Sequence, residues 1–367
     1  MLNSKHRVFL FTVYSLSLGG IQRVTSTIVN LLNELHFNVF ILKYSLDNNL
    51  YQVKTGLLEH KITLFNIFLI KLVHKLGLLD FFNYSFLSYF VKKKNASVVV
   101  LGPESFFFVK NLKGAFPSLK IYLWMHNNFD IYKNNERYFG GRFDELVKNV
   151  SAADGIICLE SYTALKWRQY NNNVVVIHNP VTIHEHENKA DLDVHIISFT
   201  GRLLVEQKGL DYLVEIASRL PEGWRISVAG AGVDEDKFRE LIDERNLADK
   251  FILRGALNGD DLTEHYLQSS IFVLTSRWEG FPLVTVEAMS LGLPVVAFGN
   301  PGLDEVTDHG KYGLLAKDGD VDDFVDKLMS LISDRDLREK YSGLSLERAK
   351  AFAPEVIIKD WEKILNS

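Results

Sequence analysis

A chain of 367 residues exceeds what one hydrophobic core usually spans, so two domains of roughly 150 to 200 residues are expected. Hydrophobic residues make up 47% and charged residues 24%, which is enough apolar surface for real cores and too little charge for a disordered chain. The formal net charge of -5 argues against a general nucleic-acid binder, which needs a basic face.

Val8–Tyr14 is the first expected strand. It is too short for a membrane span, and Gly19-Gly20 and Arg23 follow it closely, so a strand is read there in preference to a signal peptide. Short β-rich runs then alternate with helical stretches, the pattern of parallel sheets covered by helices on both faces. Further strands are expected at Asn38–Tyr44, Ser97–Leu101, Lys120–Met125, Gly155–Leu159 and Val174–Ile177. The single cysteine, Cys158, permits no intramolecular disulfide, which fits a reducing compartment, and its apolar setting marks a buried structural thiol. The polar stretch Thr182–Asp193 shows little periodicity and reads as the linker. A second series follows, with strands at His195–Thr200, Arg225–Ala229, Lys250–Leu253, Ile271–Thr275 and Pro294–Phe298. Its helices are expected near Gly209–Leu220, Asp234–Asn246, Pro282–Leu291 and Val321–Ser333. In the tail from Pro354 to Ser367, Val356, Ile357, Trp361, Ile364 and Leu365 form roughly one helix face, which must pack against another element. The halves read as two copies of one architecture, 1–181 and 182–353, each with strand ends toward a shared crevice where ligands bind. Residues 354–367 form a C-terminal helix.

The segment Ser276-Arg-Trp-Glu279-Gly-Phe-Pro-Leu-Val-Thr-Val-Glu287-Ala-Met carries the most chemistry. It follows an expected strand and leads into a helix with Pro282 near its first turn, where a missing N–H costs nothing. The amides of Leu283, Val284 and Thr285 are then expected to be free, and a helix N-terminus of this kind favours phosphate. Glu279 in the loop and Glu287 within the helix can flank a ligand without sharing a proton. A carboxylate beside a phosphate site repels it unless aimed at hydroxyls, so sugar hydroxyls are the natural partners of both. The bland alternative is a surface loop glutamate and a helix glutamate in a salt bridge. A second cluster, Thr200-Gly-Arg202-Leu-Leu-Val-Glu-Gln-Lys208-Gly-Leu210, places a guanidinium fork and a compact ammonium where a strand hands over to a helix. Together they can neutralise a diphosphate, and two solvated loop cations are the alternative.

These residues resemble the retaining glycosyltransferases of the GT-B fold, the group often called family four, or glycosyl transferases group 1. Thr200-Gly-Arg-Leu with Lys208-Gly209, Val228-Ala-Gly-Ala-Gly232, Leu253-Arg-Gly255, Glu279-Gly-Phe-Pro with Glu287-Ala-Met, and Gly292-Leu-Pro-Val-Val fall in family order near family spacing. The resemblance implies two Rossmann-like α/β domains facing a central cleft, the first acceptor-binding and the second nucleotide-sugar-binding. It also implies that the C-terminal helix packs back on the N-terminal domain. Arg202 and Lys208 would grip the donor diphosphate, Glu287 the ribose hydroxyls, and Glu279 the transferred sugar near its 3-hydroxyl. The amides after Phe281, at Leu283 and Val284, would contact phosphate and sugar. Leu18-Gly19-Gly20-Ile-Gln-Arg23 is similar to the family's glycine loop, where absent side chains let donor and acceptor approach closely, although a plain turn is the equal alternative. Gly20 is placed on the donor side, with Gly19 and Arg23 on the acceptor side. His126, in Trp124-Met-His-Asn-Asn128, resembles the family's active-site histidine near the donor sugar, while an isolated histidine is more often structural. Phe298-Gly-Asn-Pro-Gly-Leu-Asp-Glu305-Val departs from the family's Gly-Gly or Gly-Pro before the glutamate, with Leu303-Asp304 there instead.

The implied reaction moves a hexose or N-acetylhexosamine from a nucleotide-diphosphate sugar, expected to be UDP-linked, to a glycan or lipid-linked acceptor in cell-surface polysaccharide synthesis. Cations and helix amides hold the leaving diphosphate, so neither a cofactor nor a metal is expected. The Asp-x-Asp pairs Asp191/Asp193, Asp234/Asp236 and Asp318/Asp320 lie in charged loops or helix starts. Residues 65–94 are rich in Phe and Leu, interspersed with Lys71, His74, Lys75 and Lys92-Lys-Lys94. They read either as helices at an anionic membrane surface or as ordinary domain helices with a solvated basic edge. The expected location is cytoplasmic, peripheral on the inner face of the membrane. An epimerase or phosphorylase of the same architecture and a catalytically silent partner of an active transferase are the rival readings. The joint presence of Arg202, Lys208, Glu279 and Glu287 argues against the silent partner.

Overall fold

The computed structural model describes residues 7–17, 19–59, 78–139, 141–183 and 186–366. They fall into two compact units, Met1–Asn179 with Pro354–Ser367, and Pro180–Ala353. The first unit holds seven strands: β1 Val8–Val13, β2 Asn38–Lys43, β3 Gly56–Leu58, β4 Val98–Leu101, β5 Lys120–Met125, β6 Gly155–Cys158 and β7 Val174–Val176. They pair in the order β3-β2-β1-β4-β5-β6-β7, all parallel. Parallel neighbours cannot be joined by a hairpin, so crossovers such as the helices Gly20–Glu34 and Leu79–Lys94 are obligatory. With helices on both faces, central strands lose the alternation of a half-exposed sheet, and every residue of β4 and β6 is buried. Cys158 ends β6 and is fully buried.

The second unit repeats the plan with β8 Ile196–Thr200, β9 Arg225–Ala229, β10 Phe251–Gly255, β11 Ile271–Leu274, β12 Val295–Phe298 and β13 Leu314–Ala316. Their order is β10-β9-β8-β11-β12-β13, again all parallel. The edge strands β3 and β13 have no counterpart among the expected elements. The stretch Thr182–Asp193, expected as a linker, is instead tied into the second unit. The Ala190 N–H donates to the Leu291 carbonyl at 2.9 Å and that of Asp191 to the Leu267 carbonyl at 3.0 Å. Polarity there reflects backbone bonding to the unit's surface, not freedom.

The C-terminal helix Pro354–Asn366 packs on the first unit through Ile357, Ile358, Trp361 and Leu365, all buried. The Trp361 ring lies 5.5 Å from Phe11 and 4.8 Å from Trp124, and the Arg7 guanidinium donates to the Leu365 carbonyl at 3.1 Å. Val356, expected on the packed face, is 41% exposed, and Ile358 takes its place.

Of the basic region 65–94, residues 65–77, with Lys71, His74 and Lys75, lie outside the described residues. Lys92, Lys93 and Lys94 occupy the last turn of the helix Leu79–Lys94, where the helix dipole favours cations. The Lys94 ammonium sits 4.1 Å from the Phe40 ring centre and that of Lys93 5.2 Å from Tyr89. Among the described residues no helix is long and apolar enough to cross a membrane.

Candidate active site

In an open parallel sheet, ligands bind beyond the carboxyl ends of the strands, at the point where strand order reverses. In the second unit that point lies between β8 and β11, which pair directly. The chain leaving β8 reaches the short helix Val205–Lys208, and the chain leaving β11 carries Glu279. The two meet: Lys208 Nζ donates to Glu279 Oε1 at 2.5 Å, with both side chains buried. The sequence assigned these residues to separate ligands, and the fold makes them partners. One ammonium proton is thereby used and two remain.

The loop is braced from both sides. Thr275 Oγ1 donates to the Lys208 carbonyl at 2.8 Å. Gly209 is left-handed with φ +58°, and a Cβ there would lie 2.1 Å from the Thr275 carbonyl oxygen, so only glycine fits after Lys208. Arg277 donates its N–H to the Gln207 carbonyl at 2.9 Å and its guanidinium to both oxygens of Asp211, at 2.9 and 2.6 Å. Arg277 and Asp211 carry no sequence signal, because neither has a recognisable partner until the fold joins them. The glycines of Val228-Ala-Gly-Ala-Gly232 serve the same loop. The Gly201 and Leu203 amides donate to the Ala229 and Ala231 carbonyls at 3.0 Å, and a Cβ on Gly230 would meet the Gly201 carbonyl oxygen at 1.9 Å. Arg202, on the loop so held, is exposed and pairs with no carboxylate among the described residues.

The helix Leu283–Ser290 corrects two expectations. Its amides are not all free: the Leu283 N–H donates to the Phe281 carbonyl at 3.0 Å and that of Thr285 to the Pro282 carbonyl at 2.9 Å, because the tight turn at Pro282 uses them. Glu287 does not stand open beside a ligand. It is fully buried, with Oε1 accepting from Thr182 Oγ1 at 2.5 Å and Oε2 from the Tyr266 hydroxyl at 3.2 Å. Thr182 went unnoticed because it lies in the stretch read as a linker. The Phe281 ring is buried 5.4 Å from Phe352, which anchors the loop. The divergent segment after β12 packs directly on the site, since Asn300 donates to the Ser276 carbonyl at 3.3 Å and a Cβ on Gly302 would lie 3.1 Å from Glu279 Cβ.

The remaining expected residues belong to the first unit. Gly19 caps the helix Gly20–Glu34, and Arg23 donates its N–H to the Gly19 carbonyl at 3.0 Å. A Cβ on Gly19 would meet only the flexible end of Gln22, so glycine is favoured there by its backbone, at φ +159°, and not by crowding. Gly20 is exposed and Arg23 half-buried. His126 follows β5, and the Tyr132 hydroxyl accepts from the N–H groups of His126 and Asn127 at 3.0 and 3.1 Å. Its ring lies 4.4 Å from Trp124, and Nε2 is buried with no hydrogen-bond partner among the described residues.

Burial pushes the His126 imidazole down to about 3, so it is neutral at physiological pH. Burial, with the Arg254 charge, pushes His265 down to about 4. Burial pushes the Glu104 carboxyl, after β4, up to about 7. Unfolded imidazoles titrate near 6.5, so each histidine contributes stability that is complete above that value and lost as pH falls through its folded value. Glu104 has the opposite sign, since its contribution is complete below the ordinary 4.5 and lost as pH rises through 7. Between pH 6.5 and 4.5 unfolding therefore takes up two protons and releases one. Stability is expected to fall by about 1.4 kcal/mol per pH unit on acidification, and His126→Asn to flatten that slope. Urea titrations between pH 7 and 5 that give equal slopes for both proteins would contradict the assignment.

Residues 182–343 match the model of the family described as glycosyl transferases group 1. An uncharacterized glycosyltransferase of Haemophilus influenzae is 28% identical across 95% of this chain and 97% of its own length. The poly(ribitol-phosphate) alpha-N-acetylglucosaminyltransferase of Staphylococcus aureus is 26% identical across 77% of this chain, which spans 58% of that protein. The amylovoran biosynthesis glycosyltransferase AmsD of Erwinia amylovora is 28% identical across 53% of this chain, and 56% of its own length is matched. A mutant of S. aureus TarM, solved with fondaparinux, alpha-GlcNAc-glycerol and UDP, superposes with a TM-score of 0.80 at 16% identity, covering 98% of this chain and 100% of that one. Sucrose-phosphate synthase from Thermosynechococcus elongatus gives 0.83 at 16% identity over 98% of each chain. The fold is that of the GT-B glycosyltransferases, and residues 182–343 are similar to the glycosyl transferases group 1.

Proposed function

We propose that the protein is a retaining transferase that moves a hexose or N-acetylhexosamine from a UDP-sugar to a glycan or lipid-linked acceptor in cell-surface polysaccharide synthesis. The observation that carries this reading is the buried Lys208–Glu279 pair at the switch point of the second sheet. A departing diphosphate needs positive charge held in place before the bond breaks, because preorganised charge costs no rearrangement during the reaction. Lys208, with two protons to spare, the exposed fork of Arg202 and the Val284 amide supply it. Glu279, fixed by Lys208, accepts from hydroxyls of the transferred sugar, and we assign the neutral imidazole of His126, in the first unit, to a substrate hydroxyl. Glu287 takes the ribose by exchanging the Thr182 hydroxyl for a ribose hydroxyl, a like-for-like replacement of one hydrogen bond by another.

Protein cations are assigned the leaving charge in preference to a metal because one aspartate of each pair is already engaged. Asp193 binds Arg335 at 2.9 Å, Asp234 accepts from the Val205 N–H at 2.8 Å, and Asp320 caps the helix Val321–Ser333. UDP as the nucleotide is supported by the TarM complex and by Anabaena HepE, solved with UDP and glucose, which superposes with a TM-score of 0.79 at 15% identity. A thermal-shift screen of UDP-, GDP- and ADP-sugars tests the donor. A UDP-sugar at 100 times its Kd is expected to stabilise the protein by about 2.7 kcal/mol, and no shift with any UDP-sugar would contradict the reading.

We further propose a cytoplasmic location at the membrane face, held through Lys92, Lys93 and Lys94 and the exposed rings of Phe81 and Tyr89 on the same helix. Sedimentation with phosphatidylglycerol vesicles is expected at low salt, weakening as salt screens the lysines. A protein that stays in the supernatant at both low and moderate salt is not held in this way.

A further inference from the structure

The first sheet has a switch point of its own, between β1 and β4, which pair directly. A pocket of about 310 Å³ lies there, at the carboxyl ends of both strands. Val13 and Tyr14 line it at the end of β1, Pro103 and Glu104 from the turn after β4, and Tyr138 and Phe139 from the helix Glu136–Phe139.

Glu104 is half-buried in the pocket wall; its carboxyl is supported by the Thr12 hydroxyl and its own backbone N–H, while its Oε1 is buried with no hydrogen-bond partner among the described residues. Buried polar atoms in native folds are nearly always paired, so an orphaned carboxyl oxygen in a pocket wall marks where a ligand supplies the missing donor. The turn is shaped around this carboxyl. The Gly102 N–H donates to Thr12 Oγ1 at 2.9 Å, and a Cβ on Gly102 would lie 2.8 Å from Glu104 Oε1 and 2.9 Å from the Thr12 carbonyl oxygen. Bare glycine leaves the space the carboxyl occupies. The aromatic wall is fixed as well, with the Phe139 ring stacked on Tyr132 at 5.4 Å and edge-on to Phe107 at 5.5 Å.

We propose that this pocket binds one sugar ring of the acceptor, with Glu104 hydrogen-bonded to a ring hydroxyl and Tyr138 and Phe139 against its C–H face. The inference rests on the transferase reading above. At the small end of ligand pockets, the volume suits one ring and no longer oligosaccharide. An organic cation is the other ligand that a carboxyl among aromatic rings attracts. A carboxyl raised to about 7 is partly protonated near neutral pH, and it can then both donate to and accept from a hydroxyl, which favours the sugar.

The test is saturation-transfer NMR on the full chain with the methyl glycosides of glucose, galactose and N-acetylglucosamine, with choline as the cationic control. UDP binding is measured on the same samples, and thermal melts establish that each variant is folded. At least one glycoside is expected to bind. Glu104→Ala weakens it at least ~10-fold, whereas Glu104→Gln, whose amide also donates and accepts, stays within ~3-fold. UDP affinity is the same in all three proteins. Unchanged glycoside binding in Glu104→Ala, an equal loss in Glu104→Gln, binding of choline alone, or no glycoside bound by a protein that binds UDP would overturn the pocket assignment. A wild-type protein that binds no UDP would instead overturn the transferase reading.

Discussion

Glu279→Gln is expected to lower sugar transfer at least ~100-fold while UDP still binds, because the loss falls on charge that orients the transferred sugar and Lys208 in the transition state. The amide keeps the size and one acceptor oxygen of the carboxylate but none of its charge. Lys208 then has no fixed counter-ion, and its ammonium is no longer held toward one position. Lys208→Met is expected to cost at least as much, since it removes the cation itself. Single-turnover transfer separates the effect from binding, and near-normal rates in either variant would remove the pair from the mechanism.

The same pair governs stability, with the opposite preference for single and double changes. Lys208→Met takes the ammonium away from the buried Glu279 charge, which costs about 3–5 kcal/mol. Replacing both residues, as Lys208→Met with Glu279→Leu, removes the charges together and leaves apolar groups of similar volume, so most of that loss is expected to be recovered. Urea unfolding of Lys208→Met, Glu279→Leu and the double variant closes the cycle. Additive losses would show that the two side chains do not act as a unit. Part of the loss in any Lys208 variant without the ammonium comes from folding, so activity is compared only on protein shown to be folded.

The parallel architecture was legible because buried parallel strands write themselves as apolar runs. Lys120–Met125 and Arg225–Ala229 coincide with the strands read from sequence. β3 and β13 were not legible, since three residues at a sheet edge are too short for a periodic signal. The helix Arg335–Ala349 was missed for a different reason. Its buried side is made of Arg338, Ser342, Ser345 and Ala349, with Arg338 spent on the carbonyls of Leu192, Leu331 and Ile332, so it shows no apolar stripe.

At the site, the motifs located Lys208 and Glu279 but not their contact, because 71 positions separate them and only the pairing of β8 with β11 brings them together. Burial of Glu287 by Thr182 was equally invisible, since the partner lies 105 positions away in a segment without pattern. Glu104 left no trace in the sequence at all. A single glutamate after a strand acquires meaning only when Gly102, Thr12 and the aromatic wall are placed around it.

The most direct measurement is NMR of the products formed from an α-linked UDP-sugar with an acceptor glycan. Release of UDP together with a new α-glycosidic bond is the expected result. An isomerised donor, phosphorolysis without transfer, or a β-linked product would contradict it.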